Sequence, residues 1–187
     1  MTTFISILRG INVSGHNPIK MDALRQLYAG LHYSDVQTYI QSGNVIFRSA
    51  ESDKRLLEKT IAAQILQTHG FRVPVLMLTL EELKSALENN PFMKDSAKDP
   101  AFMHLTFLSD NPDVFLSEKI PIENYLPDEF LISGKTIYLY CPNGYGNTKL
   151  SNTFFESKLK LTATTRNLRT AKELLALAEK IQLNSLA

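Results

Sequence analysis

Strand-like and helix-like stretches follow one another in the order β-α-β-β-α-β, and the second half of the chain runs through that order again. Residues 3–9 (TFISILR) read as a strand, and Met21, Leu24, Leu27, Tyr28 and Leu31 recur at the spacing of one helix face. Residues 35–40 alternate, with Val36, Thr38 and Ile40 on one side, and the turn signal Ser42-Gly43-Asn44 leads into Val45-Ile46-Phe47. A turn between two such runs is a hairpin. Ser52 or Asp53 is placed to cap a helix bearing Leu56, Leu57, Ile61, Ile65 and Leu66; it stops at Gly70, and residues 72–78 form a fourth strand. This is the split-βαβ arrangement.

In the second half, residues 81–87 read as a connector helix and residues 89–100, with two prolines and mixed charge, as a linker loop. Strands are expected at 102–108, 129–132, 136–140 and 162–166, with Ser133-Gly134-Lys135 as the hairpin turn. Residues 113–120, bracketed by Pro112 and Pro121, allow only a short helix; 148–159 and 170–181 are longer ones. The expected fold class is α+β: two split-βαβ (βαββαβ) units with antiparallel sheets plus extra helices. The first unit spans residues 1–79. The second spans 80–187 and includes the connector and the C-terminal helix.

Composition narrows the functional classes. With 44% hydrophobic residues and a net charge of +1, the chain is neither disordered nor strongly polyionic. No stretch approaches the ~20 apolar residues of a membrane helix. A single cysteine, Cys141, excludes an internal disulfide and a cysteine metal cluster. The N-terminus lacks a basic-then-apolar signal pattern, so the cytoplasm is the expected location. The near-neutral total hides an uneven spread: net +3 over residues 1–79, −7 over 80–130 and +5 over 131–187. Solvated surface explains charge runs of this kind; a basic end meeting an anion is the sharper reading.

Four stretches are too polar, and too rich in glycine and asparagine, for packing to explain: RGIN at 9–12, QSGN at 41–44, GYGNTK at 144–149 and TTRNLR at 164–169. In a split-βαβ unit the end of strand 1 and the turn before strand 3 share an edge. Arg9, Asn12, Gln41, Ser42 and Asn44 are therefore expected to converge. In the second unit, the third and fourth strands end on a common edge. This places Lys149 and Asn152 with Arg166, Asn167 and Arg169, at segments that lead into helices. Helix N-termini present unpaired N–H groups, and arginine grips phosphate or carboxylate with two prongs. The local alternative is that Gly10 and Gly43 permit positive φ, that Asn12 and Asn44 bond their own backbone, and that Asn147 caps a helix with Thr153 and Glu156 paired nearby.

Other chemistries find less support. GYGNTKLS lacks the spacing of a phosphate-binding P-loop. His16, His32, His69 and His104 are scattered and read as surface or packing residues, so no metal site is expected. No base stands near Cys141 in the sequence, and no paired-carboxylate pattern argues for acid–base work. Tyr138 and Tyr140 alternate onto one strand face, but the RNA-recognition signature is absent. Apolar residues on both sides of the first strand argue for covered sheets rather than an open RNA platform.

LRGINVSG, TYIQSGNVIF and GYGNTKLSNTFFESKL followed by ATTRNLRT resemble the bacterial family catalogued as domain of unknown function 1697. The resemblance implies two ferredoxin-like units and no established activity. The family's polar positions map onto Arg9, Gly10, Asn12, Gln41, Ser42, Gly43, Asn44, Lys149, Asn152, Glu156, Arg166, Asn167 and Arg169. Ser14-Gly15-His16 stands where the family tends to Gly-Gly-Lys, which removes a permanent positive charge, and Leu168 stands where it often has Trp. The functional expectation is an uncharacterised cytoplasmic protein that binds an anionic small molecule, a nucleotide or phosphate ester, with no cofactor assigned. The alternatives are an enzyme on a phosphorylated or nucleotide substrate, a nucleic-acid-binding protein, or a structural oligomer. No membrane partner is expected, and the oligomeric state is open.

Overall fold

The computed structural model describes residues 1–185. It divides into two compact units, one of Met1–Lys84 with the segment that starts at Glu173, the other of Ser85–Lys172. The first contains β1 (Thr2–Leu8), α1 (Met21–Gly30), β2 (Ser34–Tyr39), β3 (Asn44–Ser49), α2 (Lys54–His69) and β4 (Val75–Thr79), followed by α3 (Leu80–Glu88). The second contains β5 (Met103–Leu108), α4 (Val114–Glu118), β6 (Glu129–Ser133), β7 (Thr136–Tyr140), α5 (Asn152–Leu159) and β8 (Ala163–Asn167). The sheet orders are β2-β3-β1-β4 and β6-β7-β5-β8, and every pair is antiparallel. Each unit thus has its first and third strands in the middle. This is an α+β chain of two ferredoxin-like βαββαβ units.

In the first unit the even residues of β1, Phe4 and Leu8, pack with Val45, Phe47, Val75 and Met77 against α1 (Leu24, Leu27, Tyr28) and α2 (Leu57, Ile61, Ile65). Ser6 lies on the same face, and its hydroxyl meets the Tyr28 hydroxyl at 2.7 Å. That bond satisfies a phenol that burial would otherwise leave unpaired. The odd residues Ile5 and Ile7, with Ile46, are buried as well, so this sheet offers no open aromatic platform. In the second unit Leu108, Ile137, Leu139, Phe155, Leu159 and Ala163 form the corresponding core. Cys141 is buried there, and burial, with Asp128 adding to it, pushes its thiol up to about 11, so it stays protonated and unreactive at neutral pH. No described helix is long and apolar enough to cross a membrane.

Several local expectations shift. The linker at 89–100 holds the 3₁₀ turn Pro91–Lys94 and leads into a second, Pro100–Phe102, capped by Asn90 and Asp99, each just before a proline. α5 starts at Asn152 rather than near residue 148, because Ser151 supplies the cap and Tyr145–Asn147 forms its own 3₁₀ turn. Asn147 donates back to the Asn143 carbonyl instead of capping α5. The last helix, α6 (Leu168–Asn184), begins in the second unit and runs into the first. Its periodic face, Ala171, Leu174, Ala178 and Ile181, is buried throughout. Periodicity identifies a buried face without naming what it packs on. Residues 186–187 of the span expected for the second unit, 80–187, lie outside the described residues.

One glycine holds the first unit's edge together. Gly43 has φ of 77°, and a Cβ there would sit 2.8 Å from Leu8 Cβ and 2.8 Å from Ile11 Cδ1. The Leu8 N–H donates to the Gly43 carbonyl at 2.8 Å. Gly43→Ala combines a left-handed backbone penalty with overpacking, together about 2–4 kcal/mol. Gly10, at the same φ but with open space around it, incurs only the backbone part, about 1 kcal/mol. Thermal denaturation of the two variants is expected to show a clearly larger drop in Tm for Gly43→Ala.

Candidate functional site

The edge of the first sheet where β1 ends is assembled from three loops. Arg9 follows β1, and its N–H donates to the Pro74 carbonyl at 2.9 Å, which brings the segment before β4 alongside. Asn12, at φ of 54°, uses its whole side-chain amide as a clamp. Its Nδ2 donates to the Ile19 and Gln41 carbonyls, both at 2.9 Å, while its Oδ1 accepts from the Ile19 N–H at 2.8 Å. Asn17 Nδ2 donates to the Gly10 carbonyl. Asn44 is fully buried and donates to the Tyr39 carbonyl and to Ser42 Oγ. Arg9, Asn12, Gln41, Ser42 and Asn44 thus do come together, with a division of labour. Asn12 and Asn44 spend their amides on the turns, whereas Gln41 is exposed and Arg9 partly so.

The charge of this edge is one-sided. Residues 9–20, 40–44 and 70–74 contain no carboxylate, and they carry Arg9, Lys20 and Arg72. Arg72 is exposed, two residues before the Pro74 carbonyl that binds Arg9. Periodicity places it in a strand over 72–78, but β4 begins only at Val75, which leaves Arg72 in the preceding loop. The loop ends at α1, whose N-cap is Lys20 and makes no side-chain cap. The starts of α2, α4 and α5 are capped by Asp53, Asp113 and Ser151. The first turn of α1 therefore keeps backbone N–H groups without a side-chain acceptor, at the positive end of the helix dipole.

In the second unit, β7 and β8 both run antiparallel to β5 and end opposite Met103 and His104, so the two expected loops do share an edge. Their side chains divide between the two sheet faces. Thr165 and Asn167 are registered with Thr106 and His104, whereas Arg166 is registered with Leu105 on the opposite face. Arg166 is buried, and its Nη1 donates to Thr164 Oγ1 at 3.0 Å and to the Thr165 carbonyl at 2.9 Å. Asn167 Oδ1 accepts from the Thr170 N–H at 2.7 Å and caps α6. Lys149 and Arg169 are exposed. Glu156 accepts from the Ala163 N–H at 3.1 Å. Asn152 joins a side-chain network here: Tyr145 donates to Thr165 Oγ1 at 3.0 Å, Thr165 donates to Asn152 Oδ1 at 2.7 Å, and Thr106 Oγ1 lies 2.6 Å from Thr165 Oγ1.

His104 and Tyr145 complete that group and were not among the residues expected from sequence. Their rings stack with centroids 4.8 Å apart. The available signal was the i, i+2 spacing of His104 and Thr106 on one strand face. His104 Nδ1 lies 3.2 Å from the Phe102 carbonyl, and burial holds its pKa below the ordinary imidazole value despite that bond. Among the described residues no group of three metal-ligating side chains comes together.

The family model for proteins of unknown function designated DUF1697 matches residues 1–138, and the chain belongs to that family. The match covers the RGIN and QSGN loops and stops before the GYGNTK and TTRNLR motifs. The conserved bacterial protein SP0830 from Streptococcus pneumoniae is similar in structure, with a TM-score of 0.71 and 25% identity over 95% of this chain and 98% of that one. No curated protein matches the chain.

The folded protein disfavours protonated His104, whereas the unfolded chain takes up that proton at the ordinary pKa. The unfolded state therefore binds more protons as pH falls below the usual histidine range, and folding stability falls with it. Tm measured between pH 7.5 and pH 5 is expected to decline in the parent chain and to decline less steeply in His104→Gln.

Proposed function

We propose that this chain is a cytoplasmic protein that binds an anionic small molecule, a nucleotide or phosphate ester, at the cationic loops on one edge of its first unit. One observation carries the reading. Three loops tied together by Asn12 and by the Arg9 N–H present Arg9, Lys20, Arg72 and the exposed Gln41, with no carboxylate in any of them, next to a helix start that has no side-chain cap and whose first-turn carboxylate, Asp22, is paired with Arg25. Each part suits an anion for a separate reason. Guanidinium groups hold phosphate or carboxylate in a bidentate fashion. An uncapped helix start supplies N–H donors and a favourable dipole. The clamped loops are ordered beforehand, which lowers the entropy lost on binding.

The second unit supports this chemistry less well. Arg166 already donates to its own strand, and Asn167 is occupied as a cap. Its exposed cations, Lys149 and Arg169, serve as controls for simple loss of charge.

Thermal denaturation with added inorganic phosphate, ADP, ATP and sugar phosphates tests the reading. A ligand at one hundred times its Kd stabilises by about 2.7 kcal/mol, which raises Tm by roughly 5–10 °C for a chain of this size. Arg9→Ala and Arg72→Ala are expected to abolish the shift, and Lys149→Ala and Arg169→Ala to retain it. A flat response to every anion, or a shift that survives both edge substitutions, overturns the proposal.

A further inference from the structure

Four strands form the outer edges of the two sheets, and three of them are protected. β2 is irregular: its register with β3 shifts between Ser34 and Gln37, and Asp35 sits at φ of 53° and pairs with Arg48. On β4, the Met77 N–H donates to Glu58 Oε1 of α2 at 2.8 Å. On β8, the Ala163 N–H donates to Glu156 Oε1 of α5 at 3.1 Å. In both cases a glutamate from the preceding helix reaches over to occupy an edge amide. Irregular geometry, inserted charge and side-chain coverage are the devices that stop a sheet edge from pairing with another chain.

Among the described residues β6 has neither a register break nor a side chain bonded to an edge amide; its one charge, Glu129, lies at its first residue and pairs with Lys98. The strand pairs with β7 alone, in unbroken register from Glu129↔Tyr140 to Ser133↔Thr136. Alternate N–H and C=O groups along a strand point away from its one partner, so β6 presents an unused row of them. Its middle residue, Leu131, is 44% exposed.

Beside this edge lies an open groove of about 540 Å³, lined by Ile120, Ile122, Phe130, Leu131 and Ile132 with Glu118 and Glu123 at its rim. The groove follows from the weakness of the connection between β5 and β6. The first unit crosses over with a ten-residue helix, whereas Pro112 and Pro121 confine α4 to five residues. The 3₁₀ turn Ile122–Tyr125 follows in place of further helix. The same connection exposes Val114, Phe115 and Leu126. Residues 113–129 hold five carboxylates and one lysine, and that lysine, Lys119, lies over the Phe115 ring.

We propose that β6 and its groove dock an extended segment of a partner protein, alternately apolar and basic, which adds to the sheet as a further strand. Main-chain bonds to the unused edge supply affinity; the apolar side chains of the segment enter the groove, while its basic ones, on the opposite face of the added strand, lie in the negative field of residues 113–129. Charge selects this occupant over a second copy of the chain, because an isologous pair would set two acidic strips against each other. It also disfavours fatty acids and other apolar carboxylates.

The probe is a fluorescein-labelled peptide of alternating leucine and lysine, long enough to span the five residues of β6, with a leucine–glutamate counterpart as control. Fluorescence anisotropy is expected to show saturable binding of the lysine peptide that weakens as salt is raised. Hydrogen exchange is expected to show new protection at alternate β6 amides. Leu131→Lys and Glu123→Lys, both at exposed positions that leave folding intact, are each expected to weaken binding roughly tenfold or more, with unchanged thermal melting as the check on folding. Equal or tighter binding of the glutamate peptide overturns the proposal, as do protection confined to other strands and affinity that both variants retain. A bound peptide that is helical by circular dichroism shows the wrong mode. Concentration-dependent self-association that Leu131→Lys abolishes shows that the occupant is a second copy. Each of these results also rejects it.

Discussion

The approach of the Gly43 turn to the end of β1 governs the first unit. β3 must enter the sheet beside β1 at Ile7↔Asn44, and the turn before it must pass within van der Waals distance of Leu8 and Ile11. Only a residue without Cβ passes there, and only one at ease with φ of 77° makes the bend. Once the bend is made, the Gly43 carbonyl takes the Leu8 N–H, and the Gln41 carbonyl comes within reach of Asn12. Asn44, buried at the turn's exit, closes it by donating to Tyr39 and Ser42. The polarity of this edge is thus a consequence of a packing constraint. The amides that look like ligand groups in the sequence mostly hold the loops that display Arg9 and Gln41.

The element order was legible because periodicity changes cleanly between strands and helices. The buried faces of α1 and α2, the SGN hairpin and the short α4 between two prolines all follow from spacing and backbone chemistry. What the sequence did not disclose depends on side-chain direction. Arg166 and Asn167 are adjacent in the chain and look like one motif, yet a strand sends neighbouring residues to opposite faces, so a cluster in sequence becomes two environments in space. His104 illustrates the converse. It lies far in sequence from Tyr145 and Thr165, and only pairing of β5 with both β7 and β8 brings them together. Arg72 was obscured by a boundary: an apolar run that reads as a strand from residue 72 begins pairing only at Val75. Asn152 is legible as a polar position, but the bond its Oδ1 makes, to Thr165 in a half-buried network, is not.

The two units run the same order of elements with different crossovers, and the difference is physical. Ten residues of α1 give the first core Leu24, Leu27 and Tyr28, the last satisfied by Ser6. The second unit replaces that helix with one and a half turns and a 3₁₀ segment. Its core is filled instead by the aromatic group Tyr125, Phe130, Phe154 and Phe155, whose rings meet edge to face. Edge-to-face aromatics recover part of the burial that a longer helix would provide. They do so from beneath, so the outer strand beside them remains partly uncovered.

The protection of sheet edges makes that uncovered strand informative. An unpaired edge with an apolar centre invites pairing with another chain, and small devices prevent it: a bulge, an inserted charge or a side chain placed over an edge amide. This chain uses a glutamate twice, at Glu58 and Glu156, in equivalent places on α2 and α5, and it uses a bulge on β2. The recurrence of Glu58 and Glu156 shows that the remedy belongs to the architecture, since both project from the second helix of a unit onto its fourth strand. The third strand position, next to the hairpin turn, is interior in both sheets and needs none. Among the described residues β6 is the edge with neither a bulge nor a side chain on an edge amide; its one charge, Glu129, pairs with Lys98, and it adjoins the acidic stretch 113–129. Acidity there limits unwanted pairing between copies of this chain, while leaving the edge open to a segment of opposite charge.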